Sequence, residues 1–321
     1  MPEQRRLVVA INPNASFGKA RDAGPRAVEL LRAAGHEVRP LVAPTGTLLA
    51  ERAREEVEAG ADALVVVGGD GMVHLAANIL AETDTPLGLI PTGTGNDLAK
   101  GLGLPEHSVE AAVEALLAAL EREPIVLDTG IVEWGEAGAR DSRRFVGAVS
   151  CGFDAIVNER ANAMRHPKGQ SRYTLAILRE LVALRPIPYR IEFDGQVLEL
   201  DGALVSVANN RSLGGMLITP DASMTDGLLD LFVVRSLSRT AFLRIYPKVY
   251  RGEHVSDPRV QIIRASRIRV GLRSDARSSL RERSEPTGIV GYADGERLGP
   301  LPVDVRVVPA SLRCYAPVRA S

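Results

Sequence analysis

Aromatic residues make up only 4% of the 321 residues, cysteine occurs twice, and no run of 18 apolar residues is present. Each scarcity excludes a class of protein. Without a long apolar run the chain has no candidate transmembrane helix. Two cysteines, Cys151 and Cys314, are too few for a disulfide framework or a cysteine metal site, and read as buried thiols. So few aromatics, with no recognition motif beside the basic residues, argue against a nucleic-acid partner. The opening stretch MPEQRRLVVAINPN holds too short an apolar run for a signal peptide and reads as a first strand, so a reducing cytoplasm is the expected compartment. Two motifs are missing as well. No G-x-G-x-x-G follows the first strand and no G-x-x-x-x-G-K-[ST] occurs anywhere, so the chain reads neither as an ordinary Rossmann dehydrogenase nor as a Walker nucleotidase.

What is present is the composition of a folded globular protein, 45% hydrophobic and 25% charged. The net charge of −1 conceals a gradient: −8 over residues 1–128, −2 over 129–234 and +9 over 235–321. A basic last third on an otherwise acidic chain suggests an anionic partner or surface. Arginines from Arg259 to Arg283 are the natural candidates for such docking. Within them, RSDARSSLRERSEPTG (273–288) is apolar-poor and aperiodic, and is expected to be a mobile loop.

Hydrophobic periodicity divides the chain. LVVAIN (7–12), HEVRPLVA (36–43), ALVVV (63–67) and PLGLI (86–90) read as strands, alternating with helices at 27–35, Thr47–Ala59, 72–82 and a Ser108-capped helix. The continuous apolar run ALVVV is what a strand covered on both faces requires. This order predicts a doubly wound α/β domain over 1–128. From 129 to 321 the pattern changes to an antiparallel, β-rich domain. Its strands are read at 145–153, 189–200, 203–210, 228–234 and 261–272, and its helices at Tyr173–Leu184 and Ser238–Tyr250. Asp194-Gly195 is a hairpin signal. Whether the last segment returns to the first domain is left open.

In a doubly wound sheet ligands bind beyond the carboxyl ends of the strands. Three such loops carry unusual residues: Asn12-Pro13-Asn14-Ala15-Ser16, Gly68-Gly69-Asp70-Gly71 and Pro91-Thr92-Gly93-Thr94-Gly95-Asn96-Asp97. Glycine lets backbone N–H groups approach an anion, and a following helix N-terminus adds favourable potential. Asp70 repels phosphate, so its use is to hold Mg2+ through water, to orient a donor, or simply to cap the next helix. Taken together the three loops read as a nucleotide phosphate site.

NPNASFG, VVVGGDGM, PTGTGNDLAKGLGLP, PDASMTDGLLDLFVV and YADGERLG occur in this order over most of the chain. This set resembles the diacylglycerol kinase catalytic-domain family, in particular its soluble bacterial branch and its sphingosine and ceramide kinase relatives. The resemblance implies an α/β nucleotide-binding domain followed by a β-rich lipid-substrate domain, with ATP and Mg2+ used to phosphorylate a lipid hydroxyl. Diacylglycerol is the first expectation, a sphingoid or ceramide-type lipid the alternative, and a non-catalytic nucleotide- or lipid-binding regulator the rival from another class.

By the same resemblance, ATP is bound by Asn12, Pro13, Asn14, Ala15 and Ser16, by Gly68, Gly69, Asp70, Gly71, Met72, Val73 and His74, by Thr94, and by Thr45. Asp70 and Asp97 organise Mg2+ and its waters. Glu296 is the general base, in Ala293-Asp294-Gly295-Glu296, with Asp294 beside it in the catalytic group. Ser223, Asp226 and Leu228 hold a structural Mg2+. Two positions depart from the family pattern, which usually has Thr at Met72 and Asn at His74. These imply the loss of a hydroxyl near the phosphates and the exchange of an amide donor for an imidazole. The enzyme is expected in the cytoplasm, visiting an anionic membrane surface transiently; a homodimer is left open.

Overall fold

The computed structural model describes residues 3–12, 22–136, 139–164, 170–182, 185–273 and 289–317. The chain forms two compact units, Met1–Thr129 with Pro309–Ser321, and Gly130–Val308. The first unit therefore includes the last thirteen residues, the segment whose return the sequence left open.

In the first unit β1 (Arg6–Ile11), β2 (Glu37–Leu41), β3 (Ala63–Gly68) and β4 (Leu87–Pro91) pair in parallel in the order β4-β3-β1-β2. Every residue of β3 is buried, as its unbroken apolar run requires. Leu7, Val9 and Ile11 of β1 share a core with α1 (Ala23–Ala33) and α5 (Val109–Leu120), while α2 (Gly46–Glu58) and α3 (Asp70–Leu80) pack on β1 and β3 outside that cluster, and the short α4 (Asp97–Leu102) follows the loop after β4. From β1 the chain moves to β2 on one side and then to β3 on the other, which puts the topological switch between β1 and β3. A crevice opens at such a point in an open α/β sheet. The loops of interest thus start from neighbouring strand ends, Ile11 lying opposite Val67 and Gly68 opposite Pro91.

The second unit contains β5 (Ile125–Glu136, begun in the first unit), β6 (Ala139–Phe145), β7 (Ala148–Ser150), α6 (Phe153–Ala163), α7 (Gln170–Val182), β8 (Ile187–Phe193), β9 (Gln196–Ala208), β10 (Leu229–Arg235), α8 (Arg239–Val249), β11 (Val260–Ala265), β12 (Arg267–Leu272), β13 (Val290–Ala293), β14 (Glu296–Pro300) and the start of β15 (Val303–Cys314). Its strand pairs are antiparallel. The core is built from alternating residues such as Tyr189, Ile191 and Phe193 on β8, and Val205 and Val207 on β9.

Several elements differ from the sequence reading, and β13 to β15 were not read at all. The predicted strand 145–153 is strand only at Phe145, the end of β6, and at β7, and Phe153 begins helix α6. Gly152 makes the turn, because a Cβ there would stand 2.9 Å from Tyr189 Oη and from the Val205 nitrogen. The predicted strand 261–272 is two strands broken at Ser266, β11 pairing with β10, and β12 with β8 and β15. The hairpin β5–β6 went unread because EWGEAGARDSRR carries no apolar alternation. The predicted mobile loop 273–288 lies, beyond Arg273, outside the described residues.

Candidate functional site

The Gly-Gly-Asp-Gly and Pro-Thr-Gly-Thr-Gly-Asn-Asp loops are tied into one piece by Asp70. Its two carboxylate oxygens accept the backbone N–H groups of Asn96 at 3.0 Å and Asp97 at 2.6 Å. Asp70 lies in the first turn of α3, and Gly69 occupies the N-cap without any side-chain capping bond, so the capping role considered from sequence is not the one adopted. The Asn96 side chain turns back on its own loop, accepting from Gly93 N and donating to Gly93 O, both at 3.0 Å. Asn96 can do this because its backbone is left-handed, at φ 52°. A further backbone bond runs from Thr92 N to Gly68 O at 2.9 Å, and Lys100 Nζ donates to Gly95 O at 2.6 Å.

The glycines are there because backbones approach closely. A Cβ on Gly93 would lie 2.4 Å from the Gly69 Cα, and one on Gly95 would lie 2.4 Å from Asp70 Oδ2. Gly71, by contrast, is exposed, and a Cβ there would meet nothing within 4 Å. Among the described residues, none crowds Gly71 at the N-terminus of α3, where N–H groups and the macrodipole favour an anion. Thr94 is exposed at the tip of its loop.

Other expected nucleotide contacts fall differently. Asn12 follows β1, with its N–H bonded to Val67 O at 3.3 Å, beside Gly68. Pro13, Asn14, Ala15 and Ser16 lie outside the described residues. Thr45 caps α2 by accepting the Leu48 N–H at 3.3 Å. Val73 is buried, and its N–H bonds Gly69 O at 3.3 Å.

Met72 and His74, the two positions that depart from the family pattern, are both engaged locally. The Met72 side chain is buried against the bare Cα of Gly68, where a Cβ would meet its Cγ at 2.4 Å. Its side chain packs on the last residue of β3. His74 pairs along its own helix with Asn78, whose Nδ2 donates to His74 O at 2.8 Å and lies 3.5 Å from the His74 Nε2.

In the second unit, Glu296 opens β14 directly after a two-residue turn. Asp294 and Gly295 both have positive φ, 49° and 84°, the geometry of a tight Asp-Gly hairpin. Asp294 accepts three backbone N–H groups, from Val146 and Gly147 at 2.9 Å and from Ala148 at 3.1 Å. Its own N–H returns to Ala148 O at 3.0 Å. Asp294 is thus tied to the 146–148 segment, and Glu296 is exposed at the strand start.

Sequence reasoning gave no role to Asn209, Asn210 or Gly147, and they complete this anchor. Asn209 N and Asn210 N both donate to Gly147 O, at 2.8 and 3.2 Å, and Asn209 Nδ2 donates to Val146 O at 3.0 Å. Lys100 was also missed, because its bond to Gly95 O reaches back past the helix start to a loop carbonyl.

In the loop expected to hold structural Mg2+, Asp226 Oδ1 accepts the Leu228 N–H at 3.1 Å and Ser223 Oγ accepts from Thr225 N at 3.3 Å. Arg264 stands 4.0 Å from Asp226 Oδ2 and 3.6 Å from Asp230 Oδ1. Burial pushes the Asp230 carboxyl up, and Arg264 opposes that shift. Among the described residues, no group of three or more His, Cys, Asp or Glu is placed to hold a metal. A single carboxylate oxygen with loop carbonyls suits Mg2+ only where water completes the shell.

Arginines expected to dock on anionic surfaces are mostly engaged within the protein. Arg259 is bidentate on Asp257, Arg264 lies on Asp226 and Asp230, Arg269 is held by both oxygens of Asp304, and Arg273 pairs with Asp201. The described part of the arginine-rich stretch is therefore largely neutralised, and residues 274–283 lie outside the description.

A doubly wound unit with a clamped pair of glycine-rich loops, followed along the chain by an antiparallel β unit, is the architecture of a two-unit nucleotide-binding protein, as the sequence resemblance implies. Family comparison makes this specific: residues 6–129 match the diacylglycerol kinase catalytic domain, and residues 147–316 match the YegS C-terminal NAD kinase beta sandwich-like domain. A diacylglycerol kinase of Mycobacterium tuberculosis (strain H37Rv) is 37% identical over 318 residues, covering 97% of this chain and 95% of that protein. A diacylglycerol kinase of Bacillus subtilis (strain 168) is 29% identical over 215 residues, 66% of this chain and 67% of that one. Among solved structures, a putative diacylglycerol kinase from Bacillus anthracis str. Sterne superimposes with a TM-score of 0.73 at 23% identity, over 98% of this chain and 97% of that one. Yeast NADH kinase complexed with NADH shares the fold at a TM-score of 0.58 and 13% identity, over 99% and 85%. The chain belongs to the diacylglycerol kinase family, and it is a lipid kinase.

Proposed function

We propose that this enzyme transfers the γ-phosphoryl group of ATP to the free hydroxyl of diacylglycerol, giving phosphatidic acid. The observation that carries the reading is the Asp70 clamp: one carboxylate fixes two glycine-rich loops at the strand ends, beside the N-terminus of α3. Phosphates would lie on those loops and that helix end. Thr94 and Asn12 would add polar contacts to the nucleotide from these loops. Mg2+, when bound with the nucleotide, would neutralise charge on the phosphates; Asp97 and the remaining lone pairs of Asp70 would hold its waters. Asp226 Oδ2 is the oxygen that would take a structural Mg2+ in the 223–228 loop.

Glu296 is the proposed general base. It accepts the hydroxyl proton as the lipid oxygen bonds to phosphorus and the bond to the ADP oxygen breaks. A base of this kind contributes about 10²–10⁴-fold. Asp294 acts by holding the hairpin that presents Glu296. No described helix is long and apolar enough to cross a membrane, so the enzyme would meet its lipid at a bilayer surface from outside.

Radiolabelled ATP offered with diacylglycerol, ceramide, sphingosine and monoacylglycerol, with and without Mg2+, tests this directly. Label entering diacylglycerol, dependent on Mg2+, is the expected result. Label entering ceramide or sphingosine instead moves the substrate class, and ATP binding without turnover sinks the kinase reading of this site. Glu296→Gln is expected to lower kcat by at least about 10²-fold while leaving ATP affinity unchanged; equal turnover in the variant removes Glu296 as the base.

A further inference from the structure

The exposed residues of α8 and the 3-10 turn that follows it, Glu253–Ser256, form one surface with two components. Of the large apolar side chains exposed on the described protein, Leu243 (54%), Tyr250 (49%) and Val255 (43%) belong to this segment. Val182 (69%) adjoins it, since the Arg239 guanidinium donates to Val182 O. Leu243, Pro247 and Tyr250 are spaced i, i+4, i+7 and so line one stripe of the helix. Arg244, Lys248 and Arg251 form the adjacent stripe, one residue on. Exposed apolar residues therefore alternate with cations across the same face.

The helix is firmly seated beneath this face. Ala241, Ile245 and Val249 are buried, and a ladder of rings leads outward from the core: Phe153 to Phe242 at 5.1 Å, Phe242 to Tyr246 at 5.6 Å, Tyr246 to Tyr250 at 5.8 Å. Arg251 pairs with Glu253 at 3.3 Å, whereas Arg244 and Lys248 form no ion pair among the described residues. This is the reverse of the arginine-rich stretch, whose described cations are mostly matched by Asp257, Asp226, Asp230, Asp304 and Asp201.

We propose that this face of α8 is where the protein seats on the anionic surface of a lipid bilayer, an inference that rests on the lipid-kinase reading. Leu243, Pro247, Tyr250 and Val255 enter the headgroup–acyl boundary, and Arg244, Lys248 and Arg239 meet lipid phosphates around them. An interfacial helix binds through buried apolar area together with electrostatic attraction, and both are present here on one face. The charge pattern argues against a second copy of this chain as the occupant. A two-fold contact would set this cationic stripe against itself.

The test is flotation of the full-length protein with vesicles of phosphatidylcholine alone and of phosphatidylcholine with 30 mol% phosphatidylglycerol as the chosen probe. Binding is expected only to the anionic vesicles and is expected to weaken with added salt. R244Q/K248Q is expected to lower the partition coefficient roughly 30-fold, at about 1 kcal/mol per basic residue. L243S/Y250S should lower it roughly tenfold. Both variants should phosphorylate diacylglycerol dispersed in detergent micelles at the wild-type rate. Anionic vesicle binding that survives both variants overturns the docking face, as does an absence of binding by the wild-type protein. A dimer, seen by sedimentation, that dissociates in the variants while vesicle binding persists makes the face a self-interface and overturns the proposal too. Failure of the wild-type enzyme on micellar diacylglycerol would instead strike the substrate reading, leaving the vesicle result to stand by itself.

Discussion

The bulk of Met72 is matched by the missing side chain of Gly68: a Cβ on that glycine would sit 2.4 Å from the Met72 Cγ. A residue that looked misplaced beside a phosphate loop is instead a wedge between β3 and α3, buried at 5% exposure. Met72→Thr, which restores the usual family residue, is expected to destabilise the protein by on the order of 2 kcal/mol through the void it leaves. Denaturant unfolding reads that loss, and the KM for ATP is expected to stay within a factor of two or so because the side chain packs away from the helix end. A large rise in KM without a loss of stability would contradict this placement. Glycines show the same logic at the facing loop. Gly93→Ala puts a Cβ against the Gly69 backbone, so the two loops must part and the Asp70 bonds stretch. A sharp loss of ATP affinity is expected, measured by nucleotide titration. The sequence signalled these glycines as a phosphate cradle, but not which of them are needed for loop-to-loop contact.

Two hairpin turns use one chemical device at the scale of elements. Asp194-Gly195 and Asp294-Gly295 both adopt positive φ at each residue, and each aspartate reaches beyond its own turn. Asp294 collects the N–H groups of residues 146–148; Asp194 takes Ser266 N, Ser266 Oγ and Arg267 N, each at 3.0 Å. The dipeptide was legible as a turn. Its second use, stapling a distant segment, depends on a partner 72 or more residues away and had no local signal. That staple also explains why 261–272 breaks at Ser266 instead of running as one strand. The Ser266 backbone N–H, then its hydroxyl and the Arg267 N–H, hold the Asp194 carboxyl below its ordinary range. A carboxyl lowered in the folded state stabilises above its unfolded pKa of about 4, and the contribution is lost as pH falls through the folded value. Asp194→Asn is thus expected to lower the melting temperature at pH 7 and to converge on the wild type once acid has protonated the carboxyl, below the ordinary carboxylate range. A difference unchanged by acid would show that the carboxylate charge is not what holds the junction.

Across the whole molecule, each unit carries one buried thiol, Cys314 in the first and Cys151 in the second. Burial pushes the Cys314 thiol up to about 12, and the Cys151 thiol higher still. Neither is expected to react with a thiol reagent at pH 8 until denaturant opens its unit, and mass spectrometry of labelled peptides would show fast native labelling if this were wrong. The first unit is completed by its far-off C-terminal segment, through Tyr315 N to Leu87 O at 2.8 Å, Ala310 N to Asp128 Oδ1 at 2.8 Å and Thr129 Oγ1 to Ser311 Oγ at 2.7 Å. By itself the sequence determined the alternating elements of the first unit, the β-rich character of the second, and the motif set that assigns the family. Those features are written in local periodicity and in short runs of glycine and aspartate, which need no partner to be read. Only the tertiary structure decided that Asp70 clamps two loops, that Asp294 anchors the 146–148 segment, that Met72 packs on Gly68, and that most described arginines of the basic third are already paired. Each of these depends on which groups meet across the fold, and a carboxylate or a cation acquires its task from the partner it finds.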